Sequence, residues 1–149
     1  MKFKEQVYQQ YIKLISDKIN SLETILNELN ESAKNETKST AGDKHETALA
    51  MLQIEQENTR KKIAEAITQK EQLTSININQ NSNTIIKGSL IKTDKGHLFL
   101  SVALGKIIVN DITIMALSPQ SPLGIKLLGL SKNQTTSINN QQYNIQSIE

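Results

Sequence analysis

The first third of the chain carries an apolar stripe with the spacing of a coiled-coil helix. Apolar residues recur at intervals of three and four positions, and they are Tyr8, Ile12, Ile15, Ile19, Leu22, Leu26 and Leu29. Lys, Glu, Asn and Gln fill most positions between them, and neither Gly nor Pro occurs in residues 1–41. Because a repeat of about 3.5 residues places one apolar face along a helix, the pattern predicts a long amphipathic helix.

A break in the stripe separates this helix from a second one. Residues 32–42 are small and polar and end with the first Gly of the chain, which predicts a turn. A second helical segment follows over residues 43–76, in which Gln56, Thr59 and Lys70 interrupt the apolar spacing. Two helices joined by a short connection pack as antiparallel neighbours. Residues 1–78 are therefore predicted to form an antiparallel coiled-coil hairpin with its tip near residues 34–47. The apolar seam residues of the second helix are Leu49, Leu52, Ile63, Ala66 and Leu73.

The pattern changes to that of strands after a polar linker at residues 77–83. Asp94-Lys95-Gly96 and Asn139-Asn140-Gln141 predict turns between strands. Ser121 as N-cap, Pro122 at the first helical position and Gly129 at the end predict one short helix. Residues 79–149 are therefore predicted to form a small antiparallel sheet with one short helix, and the whole chain an α+β protein. The short runs rich in Ile, Val, Leu and Thr cover residues 84–86, 88–92, 97–103, 106–115, 135–138 and 143–148.

Composition narrows the possible chemistry. The 149 residues include no Cys, so disulfides, thiolate catalysis and Cys-based zinc sites are excluded. No apolar run approaches the roughly 18 residues of a membrane span, and we expect a soluble cytoplasmic protein. The net charge of +2 is too small to argue for DNA or RNA binding by itself. It is uneven, since residues 1–78 hold 11 Lys/Arg against 12 Asp/Glu and residues 79–149 hold 6 against 3.

The predicted hairpin tip carries the motif Gly42-Asp43-Lys44-His45-Glu46-Thr47, with two carboxylates three positions apart. Asp at an N-cap followed by Glu three residues later is also a variant of the capping box, which stabilises a helix start by about 1 kcal/mol. Carboxylate oxygens are equally the ligands that Mg²⁺ prefers. Two exposed carboxylates are too few to build a phosphodiesterase site, so such a pair would serve another enzyme's active site. The two interpretations are compatible.

Two motifs in this order resemble those of the Gre-type transcript-cleavage factors of bacterial RNA polymerase. The tip of that family reads Gly-Asp-x-x-Glu-Asn-Ala, and residues 42–48 follow it closely. The family's C-terminal domain has a Ser-Pro-[Ile/Leu] helix start and a Leu-x-Gly-like stop, and here Ser121-Pro122-Leu123 leads to Leu127-Leu128-Gly129. The resemblance covers nearly the whole chain. It implies an FKBP-like fold for residues 79–149.

The resemblance also implies a mechanism. The hairpin would enter the secondary channel of a backtracked RNA polymerase as a monomer. Asp43 and Glu46 would act there as catalytic carboxylates that help to hold a Mg²⁺ ion shared with the polymerase active site. The polymerase would then cut its own RNA 3′ end, so the chain would be an accessory factor with no cofactor of its own. Gln120, Ser121 and Pro122 would contact the rim of the channel.

Departures from the family pattern keep two alternatives open. Thr47-Ala48-Leu49-Ala50 stands where the family has Asn-Ala-Glu-Tyr, and Gln120 replaces the usual Asn or Asp. These differences suit a regulator that occupies the polymerase channel without promoting cleavage. The polar positions Gln56, Thr59 and Lys70 in the second helix suit a different class, a coiled-coil adaptor unrelated to transcription.

Overall fold

The computed structural model of the chain describes the backbone of residues 2–37 and 42–149 and the side chains of residues 2–36 and 46–149. Two long helices come first and a sheet with one short helix follows, which confirms the predicted α+β class. The helices of the described residues are α1 (Phe3–Thr37), α2 (Gly42–Thr74) and α3 (Pro122–Leu127). The strands are β1 (Leu90–Thr93), β2 (Gly96–Leu100), β3 (Gly105–Val109), β4 (Ile112–Leu117), β5 (Thr135–Ile138) and β6 (Gln141–Ile148).

The contacts divide the chain into two compact units. The sheet unit combines residues 1–14 with residues 71–149, and the hairpin unit comprises residues 15–70. Each unit therefore contains parts of both long helices. The domain boundary expected near residue 78 follows the change from helical to strand sequence, and it stays a prediction.

In the hairpin unit, α1 and α2 pair along a seam that includes polar side chains. Gln56 is half-buried and its Nε2 donates a hydrogen bond of 2.8 Å to Oδ1 of Asn30 on the facing helix. Thr59 is buried and its hydroxyl donates to the carbonyl oxygen of Glu55 at 2.8 Å. Both residues thus lie in the seam with their hydrogen-bonding groups satisfied, as buried polar groups must be.

The first helix is longer than its apolar stripe predicts. The sequence places the turn at residues 32–42, but α1 continues to Thr37. The apolar stripe ends where the helix stops burying large apolar side chains. The helix itself continues, because polar residues such as Lys34 and Glu36 are compatible with an exposed helix. The remaining turn residues, 38–41, lie outside the described residues.

The sheet unit contains one six-stranded sheet of order β3-β4-β2-β1-β6-β5. Neighbouring strands run antiparallel except β2 and β4, which are parallel because the β3–β4 hairpin returns the chain beside β2. The run of residues 106–115, predicted as one strand, is two strands joined by Asn110-Asp111, whose φ angles are 52° and 63°. Residues 84–86, also predicted as a strand, contribute only an isolated bridge from Thr84 to Ser131.

Both faces of β2 are buried in the sheet unit. Leu98 and Leu100 belong to an aliphatic cluster that also includes Leu127 of α3. Phe99 points to the opposite face, as the alternation of a strand requires, and stacks on Tyr11 of α1 with ring centroids 5.9 Å apart.

The first turns of α1 bury a different side from the one that the stripe predicts. Val7 and Tyr11 are buried, whereas the predicted stripe residues Tyr8 and Ile12 are only half-buried. The physical reason is that this part of α1 packs on the sheet, where Tyr11 meets Phe99. A heptad pattern reports only the face that a helix offers to another helix.

Candidate functional site

The tip motif lies at the start of α2. The helix begins at Gly42, so Asp43 is in its first turn instead of preceding it as an N-cap. The side chains of Asp43 and His45 lie outside the described residues. The side chain of Glu46 is among the described ones and is exposed to solvent. Acidic residues in a first helical turn interact favourably with the positive end of the helix dipole.

Glu46 stands just before the point where the helix–helix seam begins. Positions 43 and 46 are three apart on one helix, and residues with that spacing are neighbours on its surface. Glu46 and Thr47 are exposed, while Ala48 and Leu49 are half-buried. The carboxylate of Glu46 is therefore accessible to another molecule. Among the residues that the structure describes, no group of three or more His, Cys, Asp or Glu side chains could hold a metal ion.

The second motif forms a capped turn that starts α3. Ser121 is the N-cap, with φ −67° and ψ 158°, and its hydroxyl oxygen accepts a hydrogen bond of 3.0 Å from the backbone N–H of Gly124. The same hydroxyl donates to the carbonyl oxygen of Ser118 at 2.6 Å. Pro122 occupies the start of the helix, where its missing N–H costs nothing. The predicted cap and the proline position are both confirmed.

A left-handed Gly follows the end of α3, and contacts with other elements fix the orientation of the helix. The helix ends at Leu127, and Gly129 follows with φ 84°, a left-handed conformation that suits Gly at a helix end. Nζ of Lys126 donates a hydrogen bond of 2.8 Å to the carbonyl oxygen of Ser137 in β5. Leu127 is fully buried in the aliphatic cluster. The opposite side of α3 is consequently held outward.

That outward side of α3 exposes an apolar surface beside the capped turn. Ile125 is 62% exposed and Leu128 is 43% exposed. Pro122 is exposed as well, and Gln120 is exposed just before the cap. We call these four residues, Gln120, Pro122, Ile125 and Leu128, the α3 face. Exposed aliphatic residues that adjoin one another on a surface are typical of protein-contact sites.

The three residues predicted to contact a partner lie together in the structure, and two further exposed residues follow them in sequence. Gln120, Ser121 and Pro122 form one turn, in which Ser121 is half-buried. Ile125 and Leu128 were not predicted as site residues. Their spacing of three positions after Pro122 is the signal that could have identified them, because Leu123 and Leu127 face the other side of the same short helix.

No helix within the described ranges has the length and apolar character needed to cross a bilayer. No protein-family model matches the chain, and a comparison with curated proteins finds no match either.

A comparison with solved structures finds a likeness to a structure titled as that of the transcription factor Gfh1. The alignment has 17% sequence identity, covers 96% of this chain and 91% of that one, and gives a TM-score of 0.32. A likeness at that TM-score carries no argument about function. The functional conclusion therefore rests on the residues of this chain.

Proposed function

We propose that the chain is an accessory factor of RNA polymerase that stimulates cleavage of backtracked RNA. The observation that carries the proposal is the pairing of two motifs on one chain. Glu46 is exposed one helical turn after Asp43 at the start of α2, and the Ser121-Pro122 turn presents the exposed α3 face. Both motifs occur in the order that the Gre-type resemblance implies.

In the proposed mechanism, the α3 face contacts the rim of the secondary channel and the hairpin tip reaches the polymerase active site. Ser121 contributes by holding the turn, because its hydroxyl both accepts from Gly124 and donates to Ser118. Pro122, Ile125 and Leu128 then supply the apolar contact area. Burying exposed aliphatic surface favours association by roughly 25 cal/mol per Å² removed from water, before the entropic costs of binding.

At the tip, Asp43 and Glu46 would supply carboxylate oxygens to a Mg²⁺ ion shared with the polymerase active site. Mg²⁺ requires near-octahedral coordination by about six oxygen atoms, so the polymerase and water would supply the remaining ligands. When it is bound, such an ion stabilises the attacking and leaving oxygens of phosphodiester cleavage. The residues of this chain would add negative charge beside the ion and help to hold it. The bond that breaks would be a phosphodiester bond of the RNA held by the polymerase. The site of action would be the cytoplasm.

The test is RNA shortening in a stalled, backtracked elongation complex of the cognate polymerase. Native protein should accelerate loss of the RNA 3′ end in the presence of Mg²⁺, and the Asp43→Asn/Glu46→Gln variant should not. Glu65→Gln is the matched control, since Glu65 is an exposed carboxylate on the same helix away from the tip. The metal role fails if the tip variant stimulates cleavage as well as the native protein does.

One observation favours a second function, a channel-binding regulator that does not promote cleavage. Where the family has Glu-Tyr after the tip, this chain has Leu49-Ala50, and Leu49 is half-buried. Thr47 to Ala50, the four residues that follow Glu46, therefore offer no further acidic or phenolic group. A stable complex with polymerase that leaves the cleavage rate unchanged would select this function.

The coiled-coil adaptor is less well supported. Its motivation was the set of polar residues in the second helix, which could accommodate a partner helix. Gln56 and Thr59 already form hydrogen bonds, to Asn30 and Glu55 respectively. Concentration-independent monomer behaviour in sedimentation, together with polymerase binding, would exclude the adaptor.

A further inference from the structure

The two edges of the six-stranded sheet differ in how they are covered. The outermost strands are β3 at one edge and β5 at the other. At the β5 edge, α3 lies alongside the strand, and Nζ of Lys126 donates a hydrogen bond of 2.8 Å to the carbonyl oxygen of Ser137. A backbone group of that edge is therefore already occupied. The β3 edge is different.

The β3 edge presents four unpaired backbone groups. The two-residue turn Asn110-Asp111 joins β3 to β4, so Val109 and Ile112 form the hydrogen-bonded pair that closes the hairpin. Hydrogen bonding alternates along an antiparallel pair, and the N–H and C=O groups of Lys106 and Ile108 therefore point away from β4. Within the described residues, these four groups have no hydrogen-bond partner.

The side chains on this edge are one cation and one aliphatic group. Ile108 is 69% exposed, and Lys106 is exposed two positions earlier on the same side of the strand. That side of the sheet also carries Met115, which packs against the aliphatic cluster. A lysine commonly protects an edge strand from unwanted pairing. Here it stands beside exposed aliphatic surface and free backbone groups, which together are what the addition of a strand uses.

The free groups and the charge specify the kind of partner. Two N–H and two C=O groups at alternate positions are complementary to the backbone of another strand. A second copy of β3 is a poor match, because symmetric antiparallel pairing brings two Lys106 side chains to diagonal positions roughly 7–8 Å apart. Residues 79–149 also hold 6 Lys/Arg against 3 Asp/Glu, so two copies repel each other. A segment with an acidic side chain opposite Lys106 and an aliphatic one opposite Ile108 avoids both problems.

We propose that the β3 edge binds an extended segment of another protein with alternating acidic and aliphatic side chains. The segment adds to the sheet as a seventh strand, antiparallel to β3 because that pairing is slightly more stable than the parallel one. Lys106 pairs with its carboxylate, and Ile108 packs against its aliphatic side chain. The α3 face belongs to the helix beside β5 at the opposite edge, so this site goes beyond the proposed function.

The test is an NMR titration of the full chain with the end-capped peptide Thr-Thr-Val-Thr-Glu-Thr at constant ionic strength. In the antiparallel register, the Val of the peptide faces Ile108 and its Glu faces Lys106. We expect saturable shifts at the amides of residues 105–109. The amide hydrogens of Lys106 and Ile108 should exchange quickly in the free protein and slowly with bound peptide. A contact made by side chains alone would not slow their exchange.

Matched peptides separate backbone pairing from charge. N-methylation of the peptide Val and Glu removes the two N–H donors that face β3 and should weaken binding by about tenfold or more. Replacing the peptide Glu with Lys should weaken binding about threefold, and the variant Lys106→Glu should reverse this preference. Lys132→Glu is the matched control, since Lys132 is an exposed lysine outside β3, and it should leave the preference unchanged.

Three results would overturn the proposal. The first is equal binding of the N-methylated and unmodified peptides, which would mean that no strand is added. The second is unchanged exchange at Lys106 and Ile108 with millimolar peptide. The third is a shift of residues 105–109 that depends on protein concentration without peptide, which would make a second copy the occupant. None of these three requires a variant to fold.

Discussion

Tyr11 joins α1 to the sheet within the sheet unit. The single O–H of its hydroxyl is shared between the carbonyl oxygens of Gly105 at 2.7 Å and Ile114 at 3.1 Å. Burial raises the pKa of Tyr11 well above its usual value. Tyr11→Phe would leave these two carbonyl groups without the hydroxyl donor. We expect the free energy of unfolding to decrease by about 1–2 kcal/mol, measured by urea denaturation.

Tyr8→Phe is the control for this prediction. Tyr8 is half-buried on the same helix, and its hydroxyl has no hydrogen bond within the described residues. Removing that hydroxyl should change the stability by less than about 0.5 kcal/mol. Equal losses in the two variants would mean that the Tyr11 hydrogen bonds contribute nothing specific.

The titration of His97 should make the stability of the sheet unit depend on pH. Burial lowers the pKa of His97 below 6.5, the positive charge of Lys92 on β1 lowers it further, and the charge of Glu149 partly opposes both. Its ring also meets Phe3 of α1 in an edge-on contact with centroids 6.0 Å apart. The native state therefore binds fewer protons than the unfolded state between the lowered pKa and 6.5.

It follows that neutral His97 contributes fully to the free energy of unfolding at pH values above the pKa that it has in the unfolded state. This contribution is lost as the pH falls through the lowered pKa of the native state. The free energy of unfolding should decrease as the pH drops from about 7.5 to about 5.5. His97→Gln removes the titrating group, so its stability should change less over this interval. Chemical denaturation at a series of pH values checks this, and parallel curves for the two proteins would contradict it.

At the scale of elements, the hydrogen bond between Asn30 and Gln56 joins α1 to α2 in the hairpin unit. Gln56→Leu alone should destabilise the hairpin unit by about 1 kcal/mol, because it leaves the Asn30 amide without its partner. Asn30→Leu combined with Gln56→Leu should recover that loss, since an apolar pair suits the seam. Thermal denaturation and amide hydrogen exchange report the effect, with Gln53→Leu as an exposed control. A double variant that is less stable than either single variant would refute this role.

The sequence predicts elements well where the determining contacts are local. Heptad spacing predicts both long helices, and Ser121 with Pro122 predicts α3 because an N-cap depends on its nearest neighbours. The turn at Asn110-Asp111 was missed because no Gly marks it, although Asn and Asp tolerate positive φ. The burial of Val7 and Tyr11 was not predicted, because it depends on packing against Phe99, a residue distant in sequence.

The candidate site was only partly predictable for the same reason. Ser121 and Pro122 belong to a recognisable motif, whereas the exposure of Ile125 and Leu128 depends on which side of α3 packs against the sheet. That choice is made by Leu127 in the aliphatic cluster and by the hydrogen bond from Lys126 to Ser137. A short helix has too few residues for its pattern alone to show the buried side.

At the scale of the whole molecule, the proposed function requires two separable surfaces on one chain. The Asp43→Asn/Glu46→Gln variant keeps the α3 face, so in excess it should displace the native protein and inhibit RNA cleavage. Adding Ile125→Ser and Leu128→Ser should remove this inhibition, because polymerase binding should weaken by about tenfold or more. Cleavage assays with mixed proteins measure both effects. If the tip variant is inert in the mixture, binding and tip chemistry are not separable.

The division of the chain into units has a consequence for its synthesis. The first helical turns belong to the sheet unit. Tyr11 is hydrogen-bonded to Gly105 and Ile114, which follow it by 94 and 103 positions in the sequence. On the ribosome this segment emerges before the rest of the hairpin, and the strands that bury Val7 and Tyr11 appear only after the entire hairpin has been made. Contacts of such long sequence separation form slowly. Until those strands have been made, the apolar side of the first turns of α1 stays uncovered, so this segment reaches its native packing only after the strands that follow it in sequence.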